Sequence, residues 1–311
     1  MALRPDDHEG PPSVASRAVK RLTKLTAGTL AGLLVASGGG LLSSAWRFAP
    51  DGHAPVTPLR YGGVETVSAH GAPAGDRRLL AHDPAGDGRV VQVFGDTERA
   101  TRIAVVVPGS GQRLDNFAYS AVHPGTVPRS NAHDLWAELR RQDPGAHVAV
   151  VAWLGYDTPE AVDRMAVRSE RAEAGARDLA RLVRTLSARG ARITLIGHSY
   201  GSVVAGLAAR HAPVAEVVAL ASPGLDADHA AELGGARVWA ARTDDDPIRF
   251  VPNVRVRGYG HGADPVDPEF GAIRFLTGAT AGHDDYYAPH GESLANMARI
   301  VLGRTAEVTR W

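Results

Sequence analysis

Among the 311 residues of the chain there is no cysteine. That excludes disulfides, thiolate metal sites and a cysteine nucleophile together. It leaves the compartment open, since an exported protein can do without disulfides. Nor is there a surplus of charge of either sign, because 34 Lys and Arg balance 34 Asp and Glu. A balanced chain without a basic stripe carries no electrostatic footprint for nucleic acid, so none is expected as a partner. Internal repeats are absent as well. What is present is ordinary for a folded protein: 44% apolar and 22% charged residues, enough to build a core.

The first 24 residues are polar and end in a basic cluster of Arg17, Lys20, Arg21 and Lys24. From Leu25 to Trp46 there is no charged side chain, a run of 22 residues. That length suffices to cross a bilayer core. A basic flank followed by an apolar run reads as an export signal or an anchor with its N-terminus inside. Ser43-Ser44-Ala45 has the small-x-small pattern of a cleavage site, whereas the length of the run favours an anchor. Either way the protein is expected to be exported, secreted or anchored to the cytoplasmic membrane through residues 25–46 with its domain outside. A buried core helix is the plainer alternative, but such a helix seldom lacks a polar face. Residues 47–60, with Pro50, Pro55 and Pro58, read as a linker, and residues 61–311 as one domain.

Within that domain, residues 78–81 and 90–94 flank a turn-rich stretch, Asp83 to Gly88, and predict a β-hairpin. Short apolar runs follow at 103–107, 147–153, 192–196, 217–220, 238–241 and 273–276, the pattern of buried parallel strands. Helices are expected between them. One is capped by Ser130 or Asn131 and runs through Leu139. A second starts at Thr158, with Pro159 and Glu160 behind it, and extends to Arg189 with a break near Gly175. The others span 202–209 and 294–302. A hairpin followed by β-α alternation predicts an α/β fold, with a mostly parallel central sheet, antiparallel N-terminal strands and helices on both faces.

The most informative stretch is Ile193 to Ser202. A buried strand runs into Gly197-His198-Ser199-Tyr200-Gly201, and a helix with small residues follows. This resembles the nucleophile elbow of the α/β-hydrolase superfamily, where a sharp strained turn exposes a serine hydroxyl at the top of the sheet. Gly197 and Gly201 leave space for the turn. The helix N-terminus favours the negative charge that develops during attack. Ser199 is therefore the candidate nucleophile, against the alternative of a structural serine in a tight turn.

An oxyanion hole needs two backbone N–H groups. One is expected from Tyr200. The second is expected from Ser110 or Gly111, in the loop Pro108-Gly109-Ser110-Gly111-Gln112 after the strand at 103–107. That loop lacks the Lys and Ser/Thr of a phosphate-binding loop. In the superfamily order the acid comes after the serine and the histidine after the acid. Thr243-Asp244-Asp245-Asp246-Pro247 follows the strand at 238–241, with Asp246 the first choice and Asp244 and Asp245 behind it. No matching set of ligands suggests a metal. Of the later histidines, His261 precedes the last strand, while His283 and His290 both lie between that strand and the final helix. His198 points off the elbow.

Six ordered blocks extend the resemblance over roughly residues 75–305. They are the 108–111 loop, Ala152 to Pro159, Gly197 to Ser202, Ala221-Ser222-Pro223-Gly224, His261 to Pro265 with Phe270-Gly271, and Gly282-His283 with Tyr286 and Ser293 to Asn296. Together they are similar to a mostly actinobacterial branch of the α/β hydrolases catalogued as a domain of unknown function. The resemblance implies the fold, Ser199 as nucleophile and His283 rather than His290 as base. The expected chemistry is a Ser-His-Asp hydrolase that cleaves a small-molecule ester or related acyl bond without a cofactor. A peptidase or amidase on the same triad is the nearest alternative. A non-catalytic envelope binding protein with the same fold is the more distant one.

Overall fold

The computed structural model describes residues 57–62, 65–67, 77–160, 168–255 and 259–311. The expected basic region, the signal or anchor at 25–46 and most of the linker lie outside the described residues.

The apolar runs become strands buried on both faces. In β4 (Arg102–Val107), Ile103, Val105 and Val107 belong to one core, while Ala104 and Val106 belong to the other. β6 (Arg192–His198) divides in the same way, with Ile193 and Leu195 on one side and Ile196 on the other. Because successive side chains point to opposite faces, a strand covered on both sides has to be apolar throughout. The remaining strands of this sheet are β1 (Glu65–Val67), β2 (Arg77–Asp83), β3 (Arg89–Gly95), β5 (Val148–Leu154), β7 (Glu216–Leu220), β9 (Arg237–Ala241) and β11 (Ile273–Arg274). Their order is β1-β2-β3-β5-β4-β6-β7-β9-β11. From β5 to β11 all neighbours are parallel, and β1, β2 and β3 add antiparallel to the β5 edge. β8 (Gly224–Ala227) and β10 (His261–Gly262) pair separately.

Among the described residues, four α-helices cover the sheet. α1 (Pro128–Gln142) and α4 (Glu292–Leu302) pack on one face through Leu135, Leu139, Leu294 and Met297. α2 (Glu170–Ser187) and α3 (Tyr200–Ala209) pack on the other through Leu179, Val183, Val203 and Val204. The fold class read from the sequence is the one observed.

Two helix starts differ from expectation. α1 begins at Pro128, with Val127 before it and no side-chain cap. Proline preset for the first helical position outcompetes Ser130 and Asn131 as the start. Residues 157–159, where a helix start was expected, are not helical, and α2 starts at Glu170. The Thr158 hydroxyl is used elsewhere, accepting from Gln112 N at 3.0 Å and donating to Gln112 O at 2.9 Å. α2 then runs unbroken through Gly175, where a Cβ would sit 2.7 Å from Tyr156 Cβ. That glycine is a point of close packing rather than a break.

The chain moves from β4 outward to β5 and then returns to β6 on the other side of β4. This reversal is a topological switch point, where the loops leaving two adjacent parallel strands diverge and open a crevice at their C-terminal ends. Val107, the last residue of β4, is paired with Gly197 of β6. The 108–111 loop and the Ser199 turn are therefore neighbours at that crevice.

Candidate active site

Ser199 stands between β6 and α3 with φ 52° and ψ −128°. A non-glycine residue there costs about 1–3 kcal/mol and persists only where its surroundings hold it. They do. Ser199 N donates to Leu220 O at 2.9 Å, and Ser199 O accepts from Ser202 N at 3.0 Å and from the Ser202 hydroxyl at 2.6 Å. The Ser202 hydroxyl lies 2.7 Å from that of Ser222, which in turn caps the turn at Gly224. The two elbow glycines are sterically required. A Cβ on Gly201 would lie 2.4 Å from the carbonyl oxygens of Val107 and Pro108, and one on Gly197 would lie 2.5 Å from Ser202 Cα.

The 108–112 loop passes directly over the serine. A Cβ on Gly109 would come within 2.9 Å of Ser199 Cβ and 3.5 Å of Ser199 Oγ. The loop is pinned at Pro108 O by the Tyr156 hydroxyl at 2.7 Å and at Gly111 O by Asn116 Nδ2 at 2.7 Å. The Gly111 N–H donates to Pro159 O at 2.7 Å. An amide already spent on a neighbouring carbonyl cannot also receive an oxyanion, so Gly111 is removed as a candidate second donor. Among the described residues the Ser110 N–H has no hydrogen-bond acceptor, nor has the N–H of Tyr200, the first residue of α3. The first amides of a helix have no partner within it. The Tyr200 side chain has a separate role, its hydroxyl donating to Arg168 O at 2.6 Å and accepting from Ala172 N at 3.1 Å.

The loop leaving β9 meets the loop between β11 and α4 through five hydrogen bonds. Asp246 is completely buried. Its Oδ1 accepts from His283 Nδ1 at 2.8 Å and Ile248 N at 2.8 Å, and its Oδ2 accepts from the Tyr286 hydroxyl at 2.7 Å. Burial pushes the Asp246 carboxyl up, but the His283, Ile248 and Tyr286 bonds outweigh it and hold the group below the usual carboxylate range. Tyr286 in turn accepts from Thr243 N at 3.0 Å. Burial and the Asp246 charge raise the Tyr286 hydroxyl well above its ordinary value, so it stays a proton donor. Thr243 Oγ1 donates to Gly282 O at 2.8 Å, and Gly282 N donates to Asp245 Oδ1 at 2.8 Å. Of the three adjacent aspartates, Asp246 is thus the one on the histidine. Asp245 is solvent-facing and braces the backbone beside it.

His283 also touches the elbow. Its ring centroid lies 4.8 Å from that of His198, whose Nε2 donates to His283 O at 2.7 Å. Because Nδ1 of His283 is committed to a carboxylate, the neutral ring carries its lone pair on Nε2. His290 is exposed with φ 64°, on the turn into α4. His261 is 2% exposed against the Tyr200 ring, with Nδ1 3.2 Å from the Ser169 hydroxyl.

Among the described residues, one group of carboxylates has oxygens close enough to share a cation: Asp87, Asp157 and Glu160. Arg171 already lies 3.2 Å from Asp157, so part of that charge is met by a guanidinium.

Comparison with known proteins agrees with this architecture. The profile of a family described as alpha/beta hydrolase matches residues 83–256. The chain belongs to the α/β-hydrolase family. The matched stretch of this α/β hydrolase includes the 108–111 loop, Ser199 and Asp246 and stops short of His283. An uncharacterized protein of Mycobacterium tuberculosis is 30% identical over 263 residues, covering 72% of this chain and 39% of that protein. The chain thus spans about two fifths of that relative's length. An uncharacterized protein of Mycobacterium bovis is 35% identical over 226 residues, covering 68% of this chain and 80% of that one. Among solved structures, a putative α/β hydrolase from Agrobacterium tumefaciens matches with a TM-score of 0.44 at 13% identity, over 76% of this chain and 100% of that one.

Proposed function

We propose that this α/β hydrolase is a serine hydrolase that cleaves a carboxylic ester or related acyl bond through an acyl-enzyme. In this reading Ser199 is the nucleophile, His283 the general base and Asp246 the acid that orients it. The observation that carries it is the buried Asp246 carboxylate accepting from His283 Nδ1, on a loop held against the strained Ser199 turn. That bond sets the tautomer in which Nε2 can accept a proton.

The steps follow. Ser199 Oγ attacks the acyl carbon while its proton passes to His283 Nε2. The oxyanion is received by the N–H groups of Tyr200 and Ser110, preorganised donors that are worth more in a site shielded from water. His283 returns the proton to the leaving alcohol. Water then attacks the acyl-enzyme, giving its proton to His283, and the acid departs as Ser199 recovers its own.

The uncharged run at 25–46 behind a basic cluster supports export as part of the proposal, the hydrolase acting outside the cytoplasmic membrane. Among the described residues no helix is long and apolar enough to cross a membrane.

A fluorophosphonate probe tests the reading. Labelling of the wild type that disappears in Ser199→Ala is expected. Folded wild-type protein that takes up no label would overturn the proposal.

A further inference from the structure

We propose that His198 is a positioning residue for the base: its Nε2–H holds the His283 backbone, coupling the nucleophile to the histidine loop through a single covalent link. The inference rests on the serine-hydrolase reading and assigns a part to a residue that the reading leaves idle.

His198 is the last residue of β6 and precedes Ser199 directly. Its position is therefore fixed by the strand at the centre of the sheet and by the turn that carries the nucleophile. The ring is 6% exposed. Nε2 lies 2.7 Å from the carbonyl oxygen of His283. A carbonyl can only accept, so Nε2 carries the hydrogen. The ring also lies against His283 at a centroid distance of 4.8 Å and against Tyr286 at 5.8 Å. It thus fills the space between the elbow and the loop that brings His283 to it.

The base is then held from two sides. Asp246 sets the orientation of its ring through Nδ1. His198 sets the position of its backbone through the carbonyl. Asp245 and Thr243 fix Gly282, one residue earlier, to the loop after β9. Those two contacts tie the histidine loop to the acid. Among the described hydrogen bonds, the His198 contact ties that loop to the strand bearing the nucleophile. Without it, the separation of Ser199 from His283 is set only indirectly, through the bonds to the loop after β9 and the sheet between β9 and β6. Proton transfer in the transition state is sensitive to that separation, and misplacement by about 1 Å can cost on the order of 100-fold in rate.

The donor is also durable. Burial first, and the neighbouring His283 second, push the His198 imidazole down to about 4. It stays neutral while His283 gains and loses its proton during turnover, and the hydrogen bond does not change with each cycle. A neutral ring so close to His283 also avoids setting a second positive charge beside the imidazolium formed during attack.

The test compares His198→Phe, His198→Gln and His198→Asn in the full chain. Phe keeps an aromatic ring without a donor. Gln places an amide N–H near the position of Nε2, and Asn is too short to reach it. Steady-state hydrolysis of p-nitrophenyl butyrate and the rate of fluorophosphonate labelling are the readouts, with melting temperature recorded alongside. The expected result is a kcat about 10- to 100-fold lower for Phe and Asn, with KM within about twofold, and recovery to within about fivefold of wild type for Gln. If Phe does not fold, the Gln and Asn pair decides. Equal kcat for Gln and Asn, or a Phe variant as active as wild type, overturns the proposal while the labelled wild type leaves the serine-hydrolase reading standing. A folded wild type that neither labels nor turns over overturns both.

Discussion

Replacing Asp246 by asparagine changes one atom and leaves the side-chain shape intact, yet neither orientation of the amide satisfies the site. Asp246 accepts three hydrogen bonds, from His283 Nδ1, Ile248 N and the Tyr286 hydroxyl. Asparagine has one oxygen and one NH2 group. If the oxygen faces His283 and Ile248, the NH2 faces Tyr286, and the buried tyrosine proton loses its acceptor. An unsatisfied buried donor costs about 1–3 kcal/mol of stability. If the amide turns over, the NH2 faces His283 Nδ1 and forces the hydrogen onto Nε2. That tautomer cannot take the proton of Ser199. A serine-protease triad changed in the same way loses on the order of 10⁴ in kcat, a rise of roughly 5–6 kcal/mol in the barrier. The assay is kcat/KM on a p-nitrophenyl ester at pH 7.5, with Asp245→Asn and Asp244→Asn as controls. Asp245 braces Gly282 N and the Thr243 side chain from a solvent-facing position and does not touch His283, so its loss is expected to cost less than about tenfold. Asp244→Asn is expected to be silent. An Asp246→Asn enzyme that keeps more than a tenth of wild-type activity, or an Asp245→Asn enzyme that falls further, refutes the assignment.

His283→Ala is expected to lower kcat by at least about 10³-fold, whereas His290→Ala stays within about twofold because His290 is exposed on the turn into α4; ester hydrolysis by the two variants checks this. Gly109→Ala sets a Cβ 2.9 Å from Ser199 Cβ and 3.0 Å from His198 O, and should cost about 100-fold in kcat/KM with the far-UV circular dichroism unchanged; full activity would show that the loop does not press on the nucleophile. Stability should fall on acidification. The folded His198 is pushed down to about 4 from 6.5, so between those values the unfolded chain binds a proton that the native state refuses. The stabilisation is complete above pH 6.5 and is lost as pH falls toward 4, amounting to about 2–3 kcal/mol by pH 4.5. Urea unfolding at pH 7 and 4.5 should show that slope in the wild type and a smaller one in His198→Gln.

The sheet and the elbow could be read from sequence because their physics is local. Strands buried on both faces must be continuously apolar, and the turn at Ser199 needs glycines at the two positions where a Cβ would strike backbone. What depended on contacts distant in sequence could not be read. Three adjacent aspartates share one local environment, and it is the partners 37 and 40 residues away, His283 and Tyr286, that separate Asp246 from Asp245. Ser110 and Gly111 are equivalent as neighbours in a glycine-rich loop, until Pro159 takes the Gly111 N–H. Thr158-Pro159-Glu160 satisfies the pattern of a helix start, but the Thr158 hydroxyl is taken by Gln112 from the 108–112 loop. His198 carried no signal in the sequence, because its acceptor is a backbone carbonyl 85 residues away.

In the proposed chemistry Ser199 becomes acylated during turnover. The most direct measurement mixes the enzyme with excess p-nitrophenyl ester, quenches in acid within the first turnover, and locates the added acyl mass by peptide mapping. One acyl group per chain is expected on the peptide that holds Ser199, with none in Ser199→Ala and accumulation slowed in Asp246→Asn. Turnover without any acylated intermediate, or acylation at another residue, would contradict it.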